Sequence, residues 1–268
     1  MKVKIYGCRA SVAVSRPSRY GSNTACMRVD IDGQTLIIDA GSGLLRLEDE
    51  LRVNPGFPKK LPFQIDILLS HLHLDHIIGL TTFAPVLDED AGVRIFVANH
   101  DERPLKEQIF QAFEPPYWPA PLDVIAQAEC IPIKGAFSIG AFDITPFESN
   151  HPNGTLSFRI TDGNKVLVYM LDSEVSTLDK LHYEIMVSHC MNADLVVFDS
   201  TYAVEDYPAR KGWGHSTPAD AVKLADLSRC KKMLLSHFCH TYSDAKIDTF
   251  HSQGKRFLAA YEGMEIEL

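Results

Sequence analysis

Between Ser70 and Gly79 the chain reads SHLHLDHIIG, immediately after the apolar run IDILL. Three histidines and one aspartate thus fall within six consecutive positions at the end of what reads as a buried strand. Alternate residues of an extended segment point to the same side, so His71 and His73 present their imidazoles together, and Asp75 and His76 follow on the turn into IIGLTTFA. A single histidine is more often a satisfied core or surface residue than a ligand, but four ionisable groups at this spacing suit a metal centre. One divalent ion takes about three or four protein ligands, so the stretch offers two to each of a pair of ions if distant parts of the chain complete both shells. Any fold this chain adopts must bring those parts to one rim.

The remaining sequence alternates strand-like and helical segments. Strands are predicted at Val3 to Tyr6, Met27 to Ile31, Thr35 to Ile38, Ile65 to Leu69, Ile95 to Ala98, Phe142 to Phe147, Thr155 to Thr161, Lys165 to Met170, Leu195 to Phe198 and Met233 to Ser236. Asp32-Gly33 is the hairpin turn between the second and third. Helices are predicted at Leu44 to Val53, ended by Asn54-Pro55-Gly56, at Ile77 to Ala84, from Pro104 to about Phe113, and at Leu181 to Asn192, Pro218 to Leu227 and Ala245 to Ser252. The four prolines of EPPYWPAPLD, Glu114 to Asp123, forbid regular structure there and predict an ordered loop or lid. With no low-complexity linker and no short-period repeat, residues 1–268 are expected to form a single domain of two stacked sheets with outer helices.

Candidates for the missing ligands stand at strand ends. His151 precedes TLSFRI and Asp172 follows KVLVYML, and the Asp162-Gly163-Asn164 turn between them returns both strands to one edge. His237 ends MLLSH as His71 ends DILLSH. An isolated His or Asp at a strand end usually caps a turn; the joint placement favours metal. Asp39, in LIIDAGSG, reads by itself as a strand-end residue that caps the turn at Gly41 to Gly43.

With these residues in this order the chain resembles the metallo-β-lactamase superfamily over essentially its whole length, HLHLDH being the specific signature. The resemblance implies an α/β (α+β) fold, a four-layer αββα sandwich of two mixed β-sheets with helices outside and a binuclear site at one rim. It implies that His71, His73 and His151 hold one metal, that Asp75, His76 and His237 hold the other, and that Asp172 bridges them. All seven donors are nitrogen or oxygen, a set that does not choose strongly among zinc, manganese and iron; zinc is expected first and manganese second. LIIDAGSG also resembles a motif of this superfamily, and that likeness implies that Asp39 lies close to the site and orients a ligand imidazole, the turn cap being the alternative.

Paired divalent ions lower the pKa of a shared water to give hydroxide near neutral pH and neutralise charge developing on a substrate oxygen, so hydrolysis is the expected output. The segment WGHSTPADA, Trp213 to Ala221, resembles the GHST motif of the ribonuclease Z and phosphonate-metabolism phosphodiesterase branches. That likeness implies that His215 contacts the phosphate and protonates the leaving oxygen; alternatively His215 packs on Trp213 at a helix start, capped by Ser216 or Thr217 with Pro218 in its first turn. Asp75 and His215 are the expected catalytic residues. In the loop GCRASVAVSRPSRYGSNTAC, Arg9, Arg16 and Arg19 would clamp a phosphate or form a solvated basic loop. Tyr117 and Trp118 would stack a nucleobase or seal an apolar edge.

The net charge of -9 and pI of about 5.6 disfavour long nucleic acid as a partner. No long basic, Gly/Pro-rich arm of the tRNA-gripping kind is recognisable. The expected partner is a small anionic phosphodiester, with the pattern closest to small cyclic-nucleotide or cyclic-phosphate phosphodiesterases, and a homodimer is compatible with the sequence. The amino terminus MKVKIYG carries no apolar signal region and no run reaches the roughly 18 residues needed to span a bilayer, so a cytoplasmic protein is expected. Six cysteines without a CxxC pair are expected to be reduced structural thiols. A lactone, thioester or RNA 3′-processing hydrolase, or a ligand-sensing module without turnover, are the competing readings.

Overall fold

The period-2 spacing of the apolar runs decides which core each strand faces. The computed structural model describes residues 1–53, 64–119, 121, 126–250 and 256–268. Among them, one sheet holds β1 (Lys2–Gly7), β2 (Cys26–Ile31), β3 (Gln34–Ile38), β4 (Gln64–Leu68), β5 (Gly92–Ala98) and β6 (Glu129–Ile133). The second holds β7 (Phe137–Ile139), β8 (Phe142–Ser149), β9 (Thr155–Thr161), β10 (Val166–Met170), β11 (Leu195–Asp199), β12 (Lys232–Ser236) and β13 (Phe257–Ala259), and the last strand, β14 (Glu265–Glu267), returns to the first sheet. The orders are β14-β1-β2-β3-β4-β5-β6 and β13-β12-β11-β10-β9-β8-β7. Both sheets are mixed: β3 to β6 and β10 to β13 run parallel, and the other neighbours are antiparallel.

One core cluster joins Val3, Ile5, Leu36 and Ile38 of the first sheet to Phe142, Ile144, Phe158 and Ile160 of the second, so the sheets pack face to face. The intervening residues Tyr6 and Ile37 point the other way, with Ile65, Ile67 and Ile95, against Leu44 and Leu47 of α1 (Gly43–Val53) and against Phe110. The short helices α2 (Leu74–Ile77), α3 (Ala84–Leu87) and α4 (Leu105–Phe110) belong to the first sheet's half of the chain. On the second sheet α6 (Pro218–Ser228) packs on β12 and against α5 (Lys180–Cys190), with α7 (Asp244–Asp248) following β12. This is the two-sheet sandwich with helices expected from the sequence.

The helix expected over Ile77 to Ala84 is corrected. It begins earlier, at Leu74, becomes a 3₁₀ turn over Ile78–Thr81 and restarts at Ala84. The cause is the adjacent turn after β3: the Ala40 amide donates to the His76 carbonyl at 2.7 Å, and the Gly79 amide to the Ala40 carbonyl at 2.9 Å. Those groups are withdrawn from the helical ladder. Gly79 is also required there, since a Cβ would lie 2.4 Å from the Gly41 carbonyl oxygen. The helix from Pro104 ends at Phe110, and that from Ala245 is observed as Asp244–Asp248. The turn at Asn54-Pro55-Gly56, part of the Glu114 to Asp123 loop and the end of the last helix lie outside the described residues. All six cysteines are free, and among the described residues no helix is long and apolar enough to cross a membrane.

Candidate metal centre

The site stands at the carboxyl ends of the parallel strands, the ordinary location for ligands in α/β sheets. Asp39 follows β3, His71 follows β4, Asp172 follows β10, Asp199 ends β11 and His237 follows β12. Three of these take left-handed backbone conformations, with φ of 58° at Asp39, 53° at Asp172 and 63° at His237. Each costs of the order of 1 kcal/mol or more for a non-glycine residue, and each turns the chain sharply at the rim. Asp75 and His76 come from α2, with the Ser11 amide donating to Asp75 Oδ2 at 2.7 Å.

Donor atoms of His71, His73 and His151 lie within 4.8 Å of one another, as do those of Asp75, His76 and His237, and those of His71, His76 and Asp172. The Asp172 carboxylate, 2% exposed, divides between the first two groups. Its Oδ1 lies 3.5 Å from His151 Nε2, and its Oδ2 lies 3.0 Å from His76 Nε2 and 3.4 Å from His237 Nε2.

Hydrogen bonds behind the rings fix which nitrogens carry lone pairs. Asp39 Oδ2 accepts from His76 Nδ1 at 2.7 Å, which leaves His76 Nε2 pointing inward. The Ser70 hydroxyl donates to Asp39 Oδ2 at 2.9 Å and so accepts from His71 Nδ1 at 3.0 Å. His151 Nδ1 donates to the Gly214 carbonyl at 2.9 Å. The inward Nε2 atoms of His76 and His237 then oppose one another 3.3 Å apart without a proton to share, and His151 Nε2 lies 3.1 Å from His73 Nδ1. His71 Nε2 and Asp172 Oδ2 are buried with no hydrogen-bond partner. Buried polar atoms are normally satisfied, and inward lone pairs around two carboxylates are what a pair of divalent cations needs.

The electrostatics agree. Burial, with the neighbouring His76, holds His71 well below the ordinary imidazole value, and burial does the same for His73 and His151. Burial opposes charge on His76 as well, but Asp172, Asp39 and Asp75 outweigh it and raise its pKa well above normal. For Asp172 burial is outweighed by His237 and His76, which hold the carboxyl well below the usual range. Asp39 acts on the ring of His76 and also accepts from the Ser70 amide at 2.8 Å and the Tyr169 hydroxyl at 2.6 Å, which selects the ring-orienting role over turn capping. Asp39→Asn is therefore expected to weaken metal affinity by roughly 10- to 100-fold, read by competition with a chelating dye; unchanged affinity would remove Asp39 from the centre.

His215 stands at the mouth of the centre. Its Nδ1 donates to Asp199 Oδ2 at 2.9 Å, and its ring centroid lies 5.0 Å from that of His151 and 5.4 Å from that of His237. Burial lowers its pKa, but the charge and hydrogen bond of Asp199, with Asp172 and Asp75 beyond, push it up to about 9. Thr217 is the N-cap of α6, in a capping box with Asp220 and with Pro218 in the first turn. The Ser216 hydroxyl instead accepts from the Val175 amide. His215 shares with Ser11, His73, Asp75, His151, Asp172 and Trp213 a cleft of about 280 Å³.

The other expected substrate contacts are not brought there. Arg9 is fully buried and donates to the carbonyls of Gly21 and Tyr242 and to the Ser18 hydroxyl; a guanidinium enclosed in this way ties loops together and is not presented to a substrate phosphate. Arg16 donates to the carbonyls of His240 and Tyr242, both at 2.6 Å, and Arg19 pairs with Asp248 at 2.7 Å. Tyr117 is 87% exposed outside the cleft, and Trp118 packs edge-on to Phe113 with a centroid distance of 6.2 Å, the edge-sealing alternative. Sequence reasoning missed Asp199, Thr201 and Glu174. Thr201 Oγ1 lies 3.0 Å from His237 Nδ1 and donates to Asp199 Oδ1 at 2.7 Å. The signal for Asp199 was present, since LVVFD ends in an aspartate as LIID does; Glu174 in a loop left none.

Comparison with known proteins gives a consistent placement. The family described as beta-lactamase superfamily domain matches residues 34–238. A ribonuclease Z of Azobacteroides pseudotrichonymphae is 25% identical, the match covering 91% of this chain and 89% of that protein. The crystal structure of the metallo-beta-lactamase fold protein YhfI from Bacillus subtilis is 21% identical over 100% of this chain and 98% of its own, with a TM-score of 0.72. That of a diphosphatase from the PhnP family is 18% identical over 100% and 97%, with a TM-score of 0.73.

Proposed function

The chain belongs to the metallo-β-lactamase superfamily of hydrolases, and on that premise we propose that it is a binuclear phosphodiesterase, one catalytic domain over residues 1–268, acting on a small nucleotide-like or cyclic diester. The observation that carries the reading is the Asp172 carboxylate, with one oxygen toward His151 and the other toward His76 and His237. His71, His73 and His151 would hold one divalent cation, Asp75, His76 and His237 the other, with Asp172 between them; zinc is preferred, and manganese or iron also suit the donors. When bound, the pair supplies Lewis acidity and activates water at neutral pH.

The chain's own residues then divide the remaining work. Asp39, Ser70, Thr201 and the Gly214 carbonyl keep the ligand imidazoles in one tautomer and one orientation. His215, held by Asp199, stands where it can bond a substrate oxygen and give a proton to the leaving group. Asp199 keeps that ring charged at neutral pH, as an acid requires. Phosphodiester rather than thioester hydrolysis is supported by this paired acid, since an alkoxide is a poorer leaving group than a thiolate and needs the proton.

The ribonuclease Z name of a relative favours RNA as a second reading, while the net charge of -9 disfavours a long polyanion. The test is a panel of cyclic nucleotides, dinucleotides, short RNA, a lactone and a thioester offered to zinc- or manganese-loaded protein. Turnover of small diesters well above the others is the expected result; preference for the lactone or thioester would reject the proposal, and preference for RNA would select the second reading.

A further inference from the structure

Trp213 lines the cleft beside His73, Asp75, His151 and His215, yet its side chain is left 58% exposed. The loop that carries it is locked. Gly212 and Gly214, on either side, have φ of +87° and +85°, and their amides donate to the Glu174 carboxylate at 2.8 and 2.9 Å. Glu174 is itself only 2% exposed and takes a third hydrogen bond from the Tyr207 hydroxyl at 2.5 Å. The Gly214 carbonyl in turn holds His151, and a Cβ at Gly214 would stand 2.2 Å from His151 Nδ1. The Arg210 guanidinium sits over the rings of both Trp213 and Tyr202, at 5.2 and 5.4 Å from their centroids. Tyr202 also packs edge-on to His215, at 5.6 Å.

A large apolar ring is thus presented to solvent on a loop whose backbone is fixed on both sides by a buried carboxylate. Such a surface loses little on binding a flat partner, because its own conformation is already paid for. From these contacts we infer that Trp213 is the specificity-determining residue of the cleft, stacking the nucleobase of a substrate whose phosphate lies at the metal centre. The inference rests on the phosphodiesterase reading above and narrows it to nucleoside-bearing diesters. Recognition is by the π-face, so purines and pyrimidines are both accepted, the larger purine more tightly. Glu174 is a positioning residue that acts through the loop, and Arg210 braces the ring by its cation–π contact.

The test uses the full chain, metal-loaded, with Trp118→Phe as background so that Trp213 is the only indole. Adenosine 5′-monophosphate and ribose 5-phosphate, which carry the same phosphate with and without a base, are titrated by calorimetry and by tryptophan fluorescence. The expected result is quenching by the adenosine compound and affinity roughly tenfold or more above that of ribose 5-phosphate. Trp213→Ala is expected to erase that difference while leaving ribose 5-phosphate affinity and metal content unchanged, and Trp213→Phe to retain most of it. Equal binding of the two phosphates, or a preference that survives Trp213→Ala, overturns the inference and leaves the phosphodiesterase reading standing. Failure of both phosphates to bind folded, metal-loaded protein overturns that reading and this inference with it.

Discussion

Asp172→Asn is expected to lower kcat/KM on a good diester substrate by roughly 10³-fold or more, since metal-assisted charge stabilisation contributes several kcal/mol and each 1.4 kcal/mol is about tenfold. The substitution keeps the shape and removes one negative charge from a position that faces both histidine groups, 3.0 Å from His76 on one side and 3.5 Å from His151 on the other. Of the other two carboxylates beside these rings, Asp75 pairs with His76 and His237, and Asp39 is committed to His76, Ser70 and Tyr169. Metal content, measured by mass spectrometry after dialysis, should fall below two ions per chain in the same variant, while circular dichroism shows the fold retained. An Asn variant that keeps both ions and near-native turnover would mean that Asp172 does not join the two halves of the site.

Replacing His215 by alanine is expected to reduce turnover by about 10²- to 10⁴-fold, the range for a lost general acid, with both metal ions retained. The size should depend on the leaving group. A nucleoside alkoxide needs a proton and should show the full loss, whereas p-nitrophenolate leaves unaided, so bis(p-nitrophenyl) phosphate should show much less. The pH profile gives a second readout. A pKa pushed up to about 9 means that His215 holds its proton at neutral pH and releases it as pH rises through that value. Activity on alkoxide substrates should therefore decline on the alkaline side, and cations bound at Asp172 and Asp75 would move that decline toward neutrality. The limb should vanish in His215→Ala. Equal loss on both classes of substrate, with the limb unchanged, would remove proton donation from the role of His215.

The convergence of these side chains was legible because each distant member borders a strand: HLHLDH follows IDILL, Asp172 follows KVLVYML and His237 ends MLLSH. A strand fixes where its end residue emerges, so a local signal carried three-dimensional information. Arg9 had no such signal. A guanidinium among small residues reads as a surface group, and its burial depends on the Tyr242 carbonyl, 233 positions away. Trp213 and Glu174 were equally opaque, being joined by backbone amides that any sequence possesses. The short strands β7, β13 and β14 have three residues each, too few for alternation to show. The run ECIPI carries Pro132, which argues against a central strand; β6 in fact lies at the sheet edge, where proline is tolerated.

The central claim, that side chains from four separated segments enclose two cations on either side of one carboxylate, is tested most directly by anomalous diffraction at the zinc edge from crystals of zinc-loaded protein. Two peaks are expected, one among His71, His73 and His151 and one among Asp75, His76 and His237, with Asp172 in contact with both. A single peak, or two peaks neither of which touches Asp172, would contradict it.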